Sequence, residues 1–465
     1  MINVLEKIKK IVDNYPALIA YEINNNHITY QELWNRALEY AYFLKKQGNS
    51  PVIIYDDKSI NYLITILACL LAKRAYVPLS KQVPINRLLK IIDITNTTLI
   101  ITESKLDIDN IECCRLNDLV NYQERDNYIN DNEIAYIIFT SGSTGVPKGV
   151  PITYDNLDNF INWMGHINPL NSYQHLKVLE QAHFSFDLSV ADLYYALCYG
   201  HTLVSVDYNM DYQDLLNNVQ KVNVAFITPT FINLLLIDKS FNEHNFANLK
   251  CLYFCGEMLQ VQTVKKLYER FPHLSIINAY GPTEATSAVS AINITSDMLN
   301  NKLLPVGDMN NVATKIVIED DKIVLKGNSV FKGYLGNIKG GYYQEEGIDC
   351  FNTGDIGYIE DNRLYCKGRG DSQIKYKGYR IELNEIEYYI NSIEGVNNCC
   401  VLAKCDDNQV VTLIKAYVEV EKNIDIKEEL KKYLPSYMIP KVIKIMDKLP
   451  INNNGKIDRK ALSNL

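Results

Sequence analysis

A chain of 465 residues, 47% of them hydrophobic, is longer than one hydrophobic core usually organises, so two or more domains are expected. Its net charge of −8, without a Lys/Arg block interleaved with aromatics, argues against a binder of nucleic-acid backbones and leaves any nucleotide to be held as a small molecule. Eleven cysteines with no CxxC pair lack both zinc and disulfide spacing and read as reduced, mostly core thiols.

The N-terminal MINVLEKIKKIVDNY has no apolar signal core, and the longest apolar stretch, around Ile64 to Ala72, is too short to span a bilayer. A cytoplasmic protein is expected. From Tyr30 to about Gly200, strand-like runs (Val52 to Tyr55, Leu99 to Thr102, Ile134 to Phe139) alternate with helical patterns such as Tyr30 to Gln47. That alternation predicts parallel sheets covered by helices.

After the strand Ile134 to Phe139, and before an expected helix, residues 139 to 150 read FTSGSTGVPKGV. Small side chains let backbone N–H groups approach an anion, while Thr140, Ser141, Ser143 and Thr144 add hydroxyl donors, Gly142 adds an unobstructed N–H, and Lys148 adds a mobile charge. The segment reads as a loop around a triphosphate. In isolation it would be an ordinary flexible loop, and it lacks the spacing G-x-x-x-x-G-K-[ST] of a P-loop.

FDLSVAD follows at 186 to 192, then strand runs at Val224 to Thr228, Leu252 to Phe254 and Ser275 to Asn278, the last leading into NAYGPTEAT at 278 to 286. There Tyr280 offers a face for a base, Gly281-Pro282 makes a turn, and Glu284 offers hard oxygens to Mg²⁺. From Val306 to Tyr365 the segments shorten into β structure, with KIVIED and KIVLKG flanking a turn at Asp320 to Lys322. NTGD at 352 to 355 puts Asp355 near a strand end, where a carboxylate can accept from both hydroxyls of a ribose.

Composition breaks at Gly368-Arg369-Gly370-Asp371. Beyond it the chain reads strand, helix, strand, strand, helix, with Ile386, Ile390 and Ile393 on one helix face ended by Gly395, and Leu430 and Leu434 on another stopped by Pro435. The expected fold is a large α/β N-terminal domain over 1–368, with parallel sheets, helices and a β-rich subdomain, and a small α+β C-terminal lid domain over 369–465. NNNGKIDRKAL at 452 to 462, with Lys456 in a turn-forming run, lies near the end.

Six segments in this order, FTSGSTGVPKGV, FDLSVAD, NAYGPTEAT, NTGD, GRGDSQIKYKGYRIELNEIE and NNNGKIDRKAL, resemble the adenylate-forming enzymes, which include acyl-CoA synthetases and the adenylation domains of nonribosomal peptide synthesis. The resemblance implies ATP and Mg²⁺ as cofactors, Asn278 and Tyr280 as adenine contacts, Thr283 as an α-phosphate contact, and Glu284 as the Mg²⁺ ligand. It assigns Asp355 to the ribose, Arg369 to the ribose or phosphate region, and Asp371 to the hinge. Lys456 would bridge the substrate carboxylate and the α-phosphate, and after domain rotation the strand near Gly378-Tyr379-Arg380 would replace it.

In the amino-acid-activating members the aspartate matching Asp187 pairs with the substrate ammonium, a counter-charge that plain acyl activators lack because an unpaired buried carboxylate is costly. The alternative of a helix-capping aspartate suits Asp192 better than Asp187. The matching pocket comprises Asp187, Leu188, Ala191, Phe226, Tyr253, Cys255, Ala279, Ser287, Ala288 and Lys456. It suits a small side chain. FSFDLSVADLY, YFCGE and GPTEAT look most like the stand-alone members that load D-alanine onto a carrier protein, in which the cysteine matching Cys255 lies against the substrate methyl. Ala191, Ala279 and Ser287 depart from that pattern towards a larger or more polar pocket.

No carrier-type serine segment follows Lys456, so the acceptor is expected to be a separate phosphopantetheinylated carrier protein, with coenzyme A second. Loading of another amino acid for natural-product synthesis, an acyl-CoA ligase and a non-catalytic nucleotide-binding regulator are the alternative readings. Tyr154 and His183 draw attention but receive no role.

Overall fold

The computed structural model describes residues 3–116, 133–142, 145–206, 210–338, 340–369, 373–406, 410–422, 424–451 and 457–463. The chain forms two compact units, one of residues 1–80, 95–138 and 150–368, the other of 81–94, 139–149 and 369–465.

In chain order the elements begin with α1 (Asn3–Asn14), β1 (Ile19–Ile23), β2 (Asn26–Thr29), α2 (Tyr30–Lys46), β3 (Val52–Tyr55), α3 (Ile60–Leu71), β4 (Tyr76–Leu79), α4 (Ile85–Thr95), β5 (Leu99–Ile101) and β6 (Glu112–Cys114). They continue with β7 (Ile134–Thr140), β8 (Lys148–Thr153), α5 (Tyr154–Met164), β9 (Lys177–Glu180), α6 (Leu188–Tyr199), β10 (Thr202–Ser205), α7 (Tyr212–Lys221), β11 (Val224–Ile227), α8 (Pro229–Leu235), β12 (Cys251–Phe254), α9 (Val261–Arg270), β13 (Ser275–Tyr280) and β14 (Ser290–Asn293). Two sheets result, ordered β6-β5-β3-β4-β7-β8 and β14-β13-β12-β11-β9-β10-β1-β2. The pairings β3–β4, β3–β5, β9–β10, β9–β11 and β11–β12–β13 are parallel, and β2 and β14 close the second sheet as antiparallel edges.

Local chemistry sets the helix starts. Thr29 caps α2 and Thr153 caps α5, each in a reciprocal capping box with the residue three positions on, Glu32 and Asn156. Helix α3, INYLITILACLL, is apolar nearly all round and is accordingly buried on almost every face. Tyr30 joins α2 to the end of α6, its buried hydroxyl donating to His201 O at 2.7 Å.

The β-rich part follows, with β15 (Gly307–Asp308), β16 (Lys315–Glu319), β17 (Lys322–Lys326), β18 (Tyr342–Glu345), β19 (Ile348–Glu360) and β20 (Arg363–Arg369) in the order β15-β20-β19-β17-β16, β18 pairing with β19. The β16–β17 turn is built on Asp320 and Asp321, both at positive φ (47° and 61°), as a two-residue hairpin requires.

The second unit holds the hairpin β21 (Gln373–Tyr376) and β22 (Tyr379–Glu382), helix α10 (Leu383–Asn391), and a sheet of β23 (Val396–Cys405), β24 (Val411–Val420) and β25 (Val442–Met446), with α11 (Ile426–Lys431) and α12 (Arg459–Ser463). Its core gathers Ile386, Ile390, Val401, Ile414, Ala416, Leu430 and Leu434. Both helices stop earlier than the apolar spacing predicts: Ile393 lies past α10 and Leu434 past α11. In each case the apolar residue still packs inward from a turn, so burial, not helical periodicity, explains it.

Two further expectations change. The glycine-rich loop leads into β8, not a helix, and α5 begins only at Tyr154, because the β-branched run at Val150 and Ile152 extends the chain after Lys148. Asp192 is no helix cap either: it lies within α6, wholly buried. All eleven cysteines are free, and seven of them are buried.

Candidate active site

In the first unit the site forms where β13 ends. Gly281 has no room for a side chain, since a Cβ there would stand 2.5 Å from Ala288 Cα. The backbone then makes one helical turn over Thr283–Ala285 and passes through Thr286 and Ser287, both left-handed at φ 61° and 70°. A β-branched residue in that region is strained, and the turn is held shut by Val289 N–H donating to Tyr280 O (2.8 Å) and by Thr286 Oγ1 donating to Ser329 O (3.1 Å). Side chains are thereby fixed before any ligand arrives.

Three hydrogen bonds define the cluster. Thr283 Oγ1 donates to Asp187 Oδ2 at 2.6 Å, Tyr280 OH donates to Asp355 Oδ2 at 2.6 Å, and Tyr334 OH donates to Glu284 Oε1 at 2.5 Å. Asp187 occupies the N-cap position of α6 yet makes no capping bond with its side chain. Burial and the Asp355 carboxylate push the Tyr280 hydroxyl well above its ordinary pKa, so it stays a neutral donor.

Asp355 sits inside β19, not at a strand end. Val324 faces Asn352 while Lys322 faces Ile356, so β19 carries extra residues there and bulges, with Gly354 at φ 75°. The bulge turns the carboxylate toward Tyr280. Asn278 is buried on β13 and donates through Nδ2 to Pro305 O (2.8 Å). Leu188 and Ala191 line α6, Ala279 lies on β13, and Phe226 and Tyr253 pair their rings at 4.6 Å on neighbouring strands; these residues, Cys255, Ser287 and Ala288 are all buried. The hydroxyls of Tyr253 and Ser287 have no hydrogen-bond partner among the described residues.

The second unit carries the glycine-rich loop. Ser141 Oγ accepts from Glu382 N–H (2.9 Å) and donates to Arg380 O (3.0 Å), while Gly142 N–H donates to Glu385 Oε2 (3.0 Å). Thr140 ends β7, Lys148 opens β8 and Arg369 ends β20. Ser143, Thr144, Asp371 and Lys456 lie outside the described residues.

With this geometry in view, residues 8–335 match the AMP-binding enzyme family and residues 385–456 match the AMP-binding enzyme C-terminal domain. The chain belongs to the AMP-binding enzyme family. Its similarity to D-alanine–D-alanyl carrier protein ligases runs the full length: 36% identity to that of Bacillus licheniformis, over 99% of each chain, and 37% to that of Staphylococcus epidermidis, over 100% of this chain and 99% of the other. In fold it is similar to the Vibrio cholerae adenylation domain AlmE in complex with glycyl-adenosine-5′-phosphate, with a TM-score of 0.85 and 23% identity over 100% of this chain and 97% of that one. The recognition made from the six motifs therefore holds, as does the α/β fold with its small second domain.

Among the described residues no group of three metal-ligating side chains gathers, and Mg²⁺ bound mainly through phosphate oxygens would need as little as one protein carboxylate. Glu284, fully buried and held by Tyr334, supplies such a carboxylate.

Sequence reading missed several residues. Nothing local marks Tyr334 as a partner of Glu284. Lys58 is buried, with Nζ 3.0 Å from Glu180 Oε1 and donating to the carbonyls of Glu180, Gln181 and Val206. It ties together the ends of β9 and β10 behind α6, where burial and Glu180 push the Asp192 carboxyl well above the usual range. His183 and Tyr154 are packing residues: His183 Nδ1 accepts from Ser185 N–H (3.2 Å), and Tyr154 OH donates to Leu70 O (3.3 Å).

Proposed function

We propose that the chain is a cytoplasmic AMP-forming ligase that activates D-alanine with ATP and passes it to the phosphopantetheine thiol of a separate carrier protein. Family membership and full-length similarity to ligases of that name support the activity. The observation that carries the substrate class is the Thr283–Asp187 hydrogen bond. It sets the carboxylate proposed for the substrate ammonium against the hydroxyl proposed for the α-phosphate, and an α-amino acid carries its ammonium close to the carboxylate that must attack there.

In this reading an oxygen of the amino-acid carboxylate attacks the α-phosphorus, the O–Pα bond forms, the bond from Pα to the bridging oxygen breaks, and pyrophosphate leaves. No protein nucleophile takes part, so catalysis is positioning and charge stabilisation. Tyr280 and Asn278 hold the adenine, Asp355 the ribose and Thr283 the α-phosphate. The loop residues Thr140 to Thr144 and Lys148 bind the outer phosphates, and Lys456 bridges the reacting groups. Glu284 is the carboxylate that would hold Mg²⁺, which when bound would supply charge neutralisation for the phosphates. Leu188, Ala191, Phe226, Tyr253, Cys255, Ala279, Ser287 and Ala288 bound the side-chain pocket. We assign residues 1–368 to the large domain and 369–465 to the small one, hinged at Asp371.

A second reading, activation of a small amino acid with a polar side chain, is favoured by the buried, unpartnered hydroxyls of Tyr253 and Ser287, since a buried hydroxyl without a partner costs about 1–3 kcal/mol. Amino-acid-dependent ATP/pyrophosphate exchange across D- and L-amino acids separates the two. D-alanine as the strongest substrate supports the first and D-serine the second, whereas exchange with acetate but no amino acid overturns both.

A further inference from the structure

Within the second unit the glycine-rich loop is bound by an anion that belongs to the chain itself. Glu385, the third residue of α10, is fully buried. One of its oxygens, Oε2, accepts from Gly142 N–H at 3.0 Å, and the other, Oε1, is 2.6 Å from Nη1 of buried Arg87 on α4. The same helix and the strand before it also engage Ser141 and Gly145. Ser141 Oγ has its donor and an acceptor position used by Arg380 O and Glu382 N–H, and Gly145 O accepts from Tyr389 OH (2.8 Å) and Lys90 Nζ (3.3 Å). Gly145 is left-handed at φ 74°, and a Cβ there would meet the Tyr388 ring at 2.1 Å unless that ring moved.

A carboxylate on a backbone N–H, backed by a guanidinium, is the arrangement a loop of this composition offers to a phosphate oxygen. Two anions cannot share one N–H. Resting on the functional reading above, we propose that Glu385 is a phosphate surrogate: it must leave Gly142 before ATP seats its outer phosphates, and its return displaces pyrophosphate from the loop. Arg87 is its positioning partner, holding the carboxylate aimed at the loop in a buried site where an unpaired charge would be costly.

The test is direct binding of Mg·pyrophosphate by calorimetry to the wild-type chain and to Glu385→Gln, which keeps the shape but removes the charge. Glu387→Gln serves as the control, an equal charge change on a carboxylate paired with Arg459 instead of the loop. Glu385→Gln should bind pyrophosphate roughly fivefold more tightly or better, as expected when a neutral acceptor replaces a charge-assisted one, and Glu387→Gln should not. Unchanged or weaker binding in Glu385→Gln, or equal tightening in both, overturns the proposal. Should Glu385→Gln fail to fold, the pair Arg87→Met with Glu385→Met removes both charges at similar volume and should also tighten binding; no gain there counts against the surrogate. Because binding is read without any amino acid, a wild-type chain lacking D-alanine exchange would sink the functional reading and leave this result standing on its own.

Discussion

Tyr334 holds Glu284: its hydroxyl donates to Oε1 at 2.5 Å across 50 positions of sequence. The carboxylate proposed for Mg²⁺ thus arrives already oriented by a neutral donor, and Phe331 N–H fixes the backbone of the same residue through Glu284 O (2.8 Å). Tyr334→Phe should raise the Mg²⁺ concentration needed for half-maximal exchange about tenfold while leaving the rate at saturating Mg²⁺ nearly intact, since a hydrogen bond to a charged group is worth about 1.5–3 kcal/mol. An unchanged Mg²⁺ profile would show that Tyr334 only packs.

Asp355 and Tyr280 form a buried pair on the ribose side of the proposed nucleotide. Asp355→Asn should raise KM for ATP about tenfold or more, with KM for the amino acid changed by less than about twofold, because one charge-assisted acceptor is lost at one ligand only. Equal rises in both KM values would point to a collapsed site.

Asp187 is the residue proposed to discriminate amino acids from plain acyl acids. Asp187→Ala should lower kcat/KM for amino-acid-dependent exchange by roughly 100-fold, about 2.7 kcal/mol of transition-state binding, and Asp187→Asn by less, since the amide can still accept from Thr283 and the ammonium. Activity with a plain acyl acid should hardly move. A comparable loss with both acid types would remove Asp187 from ammonium recognition.

Lys456→Ala should abolish exchange yet still transfer a preformed aminoacyl adenylate to the carrier, as the resemblance of NNNGKIDRKAL implies for a lysine used in the first half-reaction alone. Single-turnover transfer with synthetic adenylate reads this. Loss of both steps contradicts it.

His183 predicts an acid-side stability loss. Burial, with Lys58 nearby, lowers its pKa from 6.5 to about 3, so between those values the unfolded chain binds the proton that the folded chain refuses. Stability from this group is full above pH 6.5 and falls as pH drops toward 3, by up to about 1.4 kcal/mol per pH unit. Asp192, whose carboxyl is pushed upward, contributes the opposite slope. Comparing urea unfolding of the wild-type chain with His183→Asn, which keeps an acceptor for Ser185 N–H, isolates the histidine. Parallel pH profiles would refute the assignment.

Much of this molecule is legible in one dimension because it depends on neighbours in sequence. Turn glycines, the apolar strands, and six motifs in order depend on local backbone chemistry or on runs of residues that burial selects together. From these follow the α/β class, the family and a candidate residue set that includes Asp187, Thr283 and Glu284.

Partnership between distant side chains is another matter. Arg87 and Glu385 stand 298 positions apart, Lys58 meets the Glu180 carbonyl across 122, and Tyr334 is an unremarkable tyrosine until the fold brings it to Glu284. Hydrogen bonds form at about 3 Å, and nothing in composition or periodicity encodes which donor the chain returns to that distance. The bulge that puts Asp355 inside β19 has the same origin, since it depends on the register with β17. The sequence by itself determined the inventory of charged and hydroxyl groups and the elements that carry them; tertiary structure alone decided which group orients which, because that choice is made by burial, where a charge or a hydroxyl is stable only beside its partner.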